Sequence, residues 1–309
     1  MKRFQNKAAE SRISMPVAAA YGLGIWLVAG LVLHHWWIQF ACFVMSTFIM
    51  VELNNSNALI RIYSRMVSAA FIFLSCAACF FFSSLSGSIL QLCMIASLYT
   101  LFRCYQDKTA TGWTFYTFLL LGLASLAEAH ALYFVPIYWV IMFLTIYSLS
   151  WRTFSASILG LLLPYVVYVT GILFRNNGDF TPIIDHLEPL ICYILPYDYR
   201  SLPLPMVLTY ALLIAMTITG IVHYVRTSFH DNIRIRQLFY TLMLLDVFSA
   251  LLVAFQPQHA EVMLRMMIIT ASPLIGHFIS LTSTRITNIA FFVIIAITVL
   301  ITGFNLWML

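Results

Sequence analysis

Charge is scarce in this sequence. Only 9% of its 309 residues are Asp, Glu, Lys or Arg, whereas 62% are hydrophobic. A soluble domain carries about 25% charged residues and about 45–50% apolar ones. Because no soluble core could hide so much apolar surface, the composition excludes a soluble protein and predicts an all-α, polytopic membrane helix bundle. No polar stretch is long enough for a separate soluble domain, so we expect a single integral membrane domain over residues 1–309.

Several motifs with known chemistry are also missing. The sequence has no phosphate-binding glycine loop, no HExxH, no GxSxG and no zinc-type Cys/His cluster. Its six cysteines form no disulfide pattern, and Cys76 and Cys79, three apart in an apolar run, are typical of helix packing. The net charge of +5 comes from basic residues scattered in ones and twos, so it does not indicate nucleic acid. We expect membrane lipids as partners and no nucleic acid.

Long apolar runs are what the sequence has instead. A membrane-spanning helix needs about 20 apolar residues, with a range of about 17–25. This criterion predicts about eleven spans, at residues 16–34, 37–53, 64–83, 87–104, 113–129, 131–150, 153–174, 204–225, 236–256, 263–281 and 286–307. The first two are separated only by the motif HHWW, at His34 to Trp37, which predicts a tight interfacial turn.

The basic residues predict the orientation of these spans, since Lys and Arg accumulate on the cytoplasmic side. With the N-terminus inside and the C-terminus outside, the cytoplasmic loops receive Lys2, Arg3, Lys7, Arg12, Arg61, Arg65, Arg103, Lys108, Arg152, Arg226, Arg234, Arg236 and Arg285. The outer side receives only Arg175, Arg200 and Arg265. This asymmetry favours an odd number of spans, with the N-terminus in the cytoplasm.

The longest stretch between spans is predicted to lie outside, at residues 175–205, and reads RNNGDFTPIIDHLEPLICYILPYDYRSLPLP. Thr181 followed by Pro182 is a helix start, and the apolar residues that follow indicate an interfacial or partly re-entrant element. Asp185 and Glu188 are three apart, so they share one helix face. They could hold a divalent cation, or they could simply be the hydrated face of this element. No other metal or cofactor is expected.

Two further outer features could carry chemistry. Glu128 and His130 end the fifth span and could act in acid–base catalysis, or form a hydrated turn. Arg265 opens the tenth span and could bind a phosphate, pair with a carboxylate, or extend to the outer headgroups. Arg265 and Arg200 are the candidate substrate-binding residues, and Glu128, His130, Asp185 and Glu188 are the catalytic candidates.

One carboxylate lies at bilayer depth. Asp246 sits in the middle of YTLMLLDVFSALLVAF, and the small residues one turn away predict that it faces protein. Its depth should match that of Ser272 and Pro273, with His277 about one turn away. Asp246 could join helices as a protonated or hydrogen-bonded group, or it could couple protons or ions to transport. We find no internal repeat of the kind that coupled carriers show, which favours the structural interpretation.

Four stretches together resemble a known family. They are LLLGLASLAEAHALYFVPIYWV, WRTFSASILGLLLPYVVYV, IRIRQLFYTLMLLDVFSALLVAF and ASPLIGHFISLTSTRITNIAFFVIIAITV. Their order and spacing resemble a family of uncharacterised polytopic inner-membrane proteins of Bacteroidota, over most of the chain from about residue 50. The resemblance implies a cell location and a helix count. It implies no reaction.

These observations predict an inner-membrane bundle of about eleven helices. The leading hypothesis for its function is the handling of a lipid-linked cell-envelope precursor, such as a lipid-linked glycan, at the outer leaflet. One alternative is a non-catalytic membrane subunit or scaffold, and another is an ion- or proton-coupled carrier centred on Asp246. The sequence leaves open whether the protein is an enzyme.

Overall fold

The structure is a computed structural model that describes residues 3–175, 181–190 and 202–309. Within these residues the protein is all-helical, without strands, as predicted. The helices are α1 (Phe4–Glu10), α2 (Ser14–Val28), α3 (Trp37–Asn57), α4 (Met66–Ala77), α5 (Leu85–Arg103), α6 (Thr111–Ala127), α7 (Phe134–Leu144), α8 (Trp151–Arg175), α9 (Thr181–Leu187), α10 (Leu204–Thr227), α11 (Ile233–Phe255), α12 (Ala260–Leu281) and α13 (Arg285–Trp307).

Seven of the described helices are long and apolar enough to cross a membrane. The pair α1 and α2, which is bent by 87°, would make an eighth if it counts as one span. Three shorter apolar helices lie at Met66–Ala77, Thr111–Ala127 and Ala129–Leu144. An apolar helix thus occurs within each predicted span, but the count of about eleven and the orientation stay predictions.

The chain divides into two compact units. The first comprises the described parts of Met1–Ser88 and Tyr199–Leu309, and the second comprises those of Ile89–Asp198. The prediction of a single membrane domain concerns the chain as a whole and stays a prediction.

Helix α12 is the centre of the first unit. It packs against α1, α4, α10 and α11, and every residue from Val262 to Ser280 is buried. A helix that is apolar on most sides is buried, either by other helices or by lipid, and here other helices enclose it. Two glycines allow the close approach: a Cβ on Gly220 of α10 would lie 2.7 Å from Leu274 Cβ, and one on Gly276 would lie 3.1 Å from the Val67 backbone of α4.

Three helices are shorter than the sequence predicts. Helix α2 ends at Val28, because Gly30 takes a left-handed φ of 102° and starts the turn that leads to α3. Helix α4 stops at Ala77 and continues as a 3-10 turn, Cys79–Phe81. Helix α7 ends at Leu144, just before Tyr147 adopts a left-handed φ of 57°.

Glycines also bring α6 and α8 together in the second unit. A Cβ on Gly122 of α6 would lie 2.8 Å from the carbonyl oxygen of Leu161, and one on Gly160 of α8 would meet the carbonyl oxygen of Phe115. Both neighbours are backbone atoms, which cannot move aside without shifting a helix. Small residues at helix contacts allow this kind of packing in membranes.

We predict that Gly160→Ala destabilises the second unit by about 1–3 kcal/mol, because the added methyl group overpacks the α6–α8 contact. Gly171→Ala on the same helix is the matched control, since nothing lies within 4 Å of its Cβ position. Thermal unfolding in detergent should show a lower midpoint for the first variant only. Equal midpoints for both variants would contradict the close α6–α8 packing.

Candidate functional site

The second unit brings several predicted catalytic residues to one end of α6. Glu128 follows the last residue of α6, and His130 lies in the 3-10 turn Ala129–Tyr133. The described segment 181–190 packs here: the His186 ring Nε2 is 2.8 Å from the Ser125 carbonyl oxygen, and the Tyr133 hydroxyl donates to the Leu190 carbonyl at 3.3 Å. We call the residues Ser125, Glu128, His130, Tyr133 and His186 the turn site.

Two histidines belong to the turn site, His130 and His186. His130 is buried, and burial lowers its pKa. The backbone of Pro189, which offers only a carbonyl acceptor, raises the pKa of His130, whereas the charge of His186 lowers it. His130 is therefore neutral near pH 7, and a neutral imidazole can accept a proton. His186 was not a candidate from the sequence, because only folding brings it to α6.

The other outer candidates are more exposed. Asp185 lies in α9 and Glu188 in the following 3-10 turn, and both are exposed. Within the part of the chain that the structure describes, no three His, Cys, Asp or Glu residues are grouped to hold a metal ion. The divalent cation therefore stays a prediction. Arg200 lies outside the described residues.

Arg265 belongs to the first unit, where its side chain is only 3% exposed. Its Nη2 and Nε donate to Glu261 Oε1, one helical turn away, at 2.8 and 3.1 Å. The same Nη2 donates to the Phe81 carbonyl at 2.8 Å, and the guanidinium lies 4.6 Å from the Phe81 ring centroid. The sequence left three roles open for Arg265: binding a phosphate, pairing with a carboxylate, or extending to the outer headgroups. The structure shows the second of these, a pair with Glu261.

Asp246 is fully buried between three helices. Its Oδ1 accepts a hydrogen bond from Thr270 of α12 at 2.6 Å, and Thr217 of α10 approaches the same carboxyl group. Its Oδ2 has no well-aligned hydrogen bond among the described residues. The sequence placed Asp246 level with Ser272 and Pro273, but its helix partner is Thr270. Ser272 instead bonds to the backbone of its own helix, at Ile268.

A further polar site lies beside the last turns of α12. It comprises Arg61, Asp231, His277, His223 and Tyr224, and we call it the histidine cluster. Asp231, in the connection between α10 and α11, pairs with Arg61 Nε at 2.9 Å and lies 3.3 Å from His277 Nε2. The carboxylate and the imidazole are both wholly buried. The rings of Tyr224 and His223 lie 4.9 and 5.4 Å from that of His277.

The histidine cluster could not be read from the sequence, which marked only His277. Asp231 and Arg61 are 170 positions apart and lie in different connections, so only the folded chain joins them. One sequence signal was available: His223 and His277 both occur within apolar helices, where ionisable residues are costly and often functional.

The long apolar helices and the enclosed polar side chains define a membrane-embedded, multi-pass helical protein. No protein-family model, no curated protein and no solved structure matches the chain. The resemblance to inner-membrane proteins of Bacteroidota therefore stays a prediction.

We predict that Asp231→Asn destabilises the first unit by about 1–3 kcal/mol, because the buried His277 and the Arg61 guanidinium lose their carboxylate. Asp107→Asn is the matched control, since Asp107 is exposed in the connection between α5 and α6. Unfolding in detergent, followed by tryptophan fluorescence, should distinguish the two. An Asp231→Asn variant as stable as the control would show that the ion pair contributes nothing to folding.

Proposed function

We propose that this protein is a cation-coupled carrier, and that Asp246 binds the coupling proton or sodium ion. We place it in a bacterial inner membrane, with about eleven spans, the N-terminus inside and the C-terminus outside. The single observation that carries the proposal is the environment of Asp246: a fully buried carboxyl group with one well-aligned hydrogen bond.

The free-energy cost of placing Asp246 in a membrane helix is larger than the gain from its hydrogen bond. This comparison argues against a purely structural role for Asp246. An Asp at the centre of a membrane helix costs about 2.5–3.5 kcal/mol on the insertion scale. A side-chain hydrogen bond between membrane helices contributes about 0.6 kcal/mol on average. The bond from Thr270 therefore offsets only a small part of the cost of Asp246, and a gain in stability does not explain why the residue is there.

The surroundings of Asp246 suit a small cation. Three helices supply oxygen atoms: a carboxylate from Asp246, and the hydroxyl groups of Thr270 and Thr217. Hard cations prefer oxygen ligands, and a proton needs only the carboxylate. The histidine cluster lies further along α12, since His277 follows Thr270 by seven residues, or about 10 Å of helix. It provides a second titratable site on the same buried helix.

We predict that Asp246→Asn keeps the fold and abolishes cation binding. In weakly buffered detergent solution, the wild-type protein should bind about one proton more than the variant on acidification. If sodium is the coupling ion, adding it should release that proton from the wild type only, and it should raise the unfolding temperature of the wild type only.

Asp107→Asn serves as the control, because it also removes a carboxylate but lies in an exposed connection. Thr270→Val, which removes the donor to Asp246, should weaken sodium binding without abolishing it. Identical proton counts for the wild type and Asp246→Asn, together with no sodium effect, would reject the coupling role.

The turn site favours a second candidate function, the handling of a lipid-linked cell-envelope precursor at the predicted outer face. What supports it is the approach of the described segment 181–190 to Ser125, His130 and Tyr133. A neutral histidine can serve as a general base. Arg265 contributes nothing to this hypothesis, because its guanidinium is already paired with Glu261.

We predict that His130→Gln lowers complementation of a deletion strain at least tenfold, because general acid–base groups contribute about 10²–10⁴-fold to a rate. The measurement is the pool of lipid-linked envelope precursors, which should accumulate in the deletion strain and in the variant. His34→Gln, in the exposed turn before α3, is the control. An unchanged pool in the deletion strain would exclude this function.

A non-catalytic subunit or scaffold remains as the third hypothesis. It requires that sodium neither release a proton from the wild type nor raise its unfolding temperature, and that the precursor pool not change. The sodium measurement therefore separates this hypothesis from a sodium-coupled carrier, and the precursor pool separates it from precursor handling.

A further inference from the structure

An apolar cleft opens in the first unit beside α1. Its volume is about 540 Å³, within the range of about 300–1,000 Å³ that is typical of small-molecule sites. Residues of α1, α2, α4, α10, α12 and α13 line it, and most are hydrocarbon or aromatic: Phe4, Val17, Ala70, Phe73, Ile279 and Phe292 are representative.

The position of α1 explains why the cleft stays open. Its Gln5 is buried and donates from Nε2 to the Ile279 carbonyl at 2.7 Å and to the Thr282 hydroxyl at 2.6 Å. The Gln5 N–H donates to Asn288 Oδ1 at 3.1 Å. These bonds fix α1 against the ends of α12 and α13, while the 87° bend turns α2 away from it.

A side-chain hydrogen bond joins α2 and α13 beyond the cleft. Tyr21 of α2 donates to the Thr302 hydroxyl of α13 at 3.0 Å, one turn beyond Thr298, which lines the cleft. The cleft, which we also call the channel, lies between α1 and this contact. Val17 and Phe292 on its two walls are 58% and 49% exposed, so the channel opens sideways to the surrounding membrane.

One cationic side chain, that of Lys7, lies at the opening of the cleft beside α1, which we call its mouth. Lys7 is exposed and lines the cleft, and Arg3 and Arg12 flank it in sequence, whereas Glu10 is the one carboxylate of this segment. If α2 crosses the bilayer, the bend lays α1 along the membrane surface, which puts Lys7 at headgroup depth. An apolar channel below a cationic mouth complements an acyl chain that carries an anionic headgroup.

We propose that this cleft binds one anionic phospholipid, with an acyl chain between α2 and α13 and the headgroup phosphate at Lys7. The lipid would seal the lateral opening beside α12 and hold α1 against the bundle. This site is independent of Asp246 and of the turn site. A negative result for lipid binding would therefore not affect the functions proposed above.

The test uses the full chain in nanodiscs of phosphatidylglycerol and phosphatidylcholine with equal chain lengths, followed by native mass spectrometry. We expect the wild type to retain one phosphatidylglycerol. Lys7→Gln should lower its preference over phosphatidylcholine about fivefold, since one basic residue near a membrane surface contributes about that factor. Lys108 is an exposed lysine of the second unit, and Lys108→Gln should leave the preference for phosphatidylglycerol unchanged.

A second pair of variants tests the channel itself. Ala70→Leu places a larger side chain in the cleft and should abolish lipid retention, whereas Ala20→Leu on the exposed face of α2 should not. Unfolding temperatures show whether each variant is folded. Equal retention of both lipids by the wild type would overturn the proposal. So would equal effects of the two lysine variants, or a protein dimer that Ala70→Leu dissociates.

Discussion

The burial of α12 is the constraint on which the rest of the first unit depends. From Val262 to Ser280 no residue reaches the surface, so every polar group on this helix needs a partner inside the bundle. The neighbouring helices must also come close to leave no voids. Gly220 on α10 and Gly276 on α12 itself permit this approach, because a side chain at either position would press on its neighbour. The apolar helices around α12 are thus arranged by its polar residues as well as by its shape.

Arg265 and His277 of α12 find their partners where a neighbouring helix ends or is interrupted. Arg265 reaches the Phe81 carbonyl in the 3-10 turn after α4, where the chain has left the regular helical ladder. His277 reaches Asp231 in the connection that precedes α11. The shortening of α4 is therefore more than an irregular end, because the turn after Ala77 supplies an acceptor for a buried guanidinium.

The positions of the apolar helices could be predicted from composition alone, since a run of about 20 apolar residues has few other stable structures. Their ends could not, because they depend on single backbone conformations such as the left-handed φ of Gly30. The polar contacts were harder to predict from the sequence than the helix ends. The depth of Asp246 follows from the hairpin of α11 and α12, but its pairing with Thr270 instead of Ser272 depends on the rotation of α12. The contact between Asp231 and His277 depends on tertiary packing that no local pattern contains.

Three polar sites lie along α12, at Arg265, Asp246 and His277. They differ in how many hydrogen-bonding or ionic partners each group has, and this difference distinguishes a structural group from a functional one. The Arg265 guanidinium has a carboxylate, a carbonyl and an aromatic ring, so its geometry is complete without a ligand. Asp246 has one well-aligned bond, and His277 has a carboxylate on one side and aromatic rings around it. Buried ion pairs can often be replaced by apolar residues without loss of stability, so stability alone does not account for such groups. An incompletely satisfied carboxyl group inside a membrane bundle is harder to explain by packing than by the binding of a proton or a cation. Asp246 of α11, rather than Arg265 of α12, is therefore the residue at which function should be sought first.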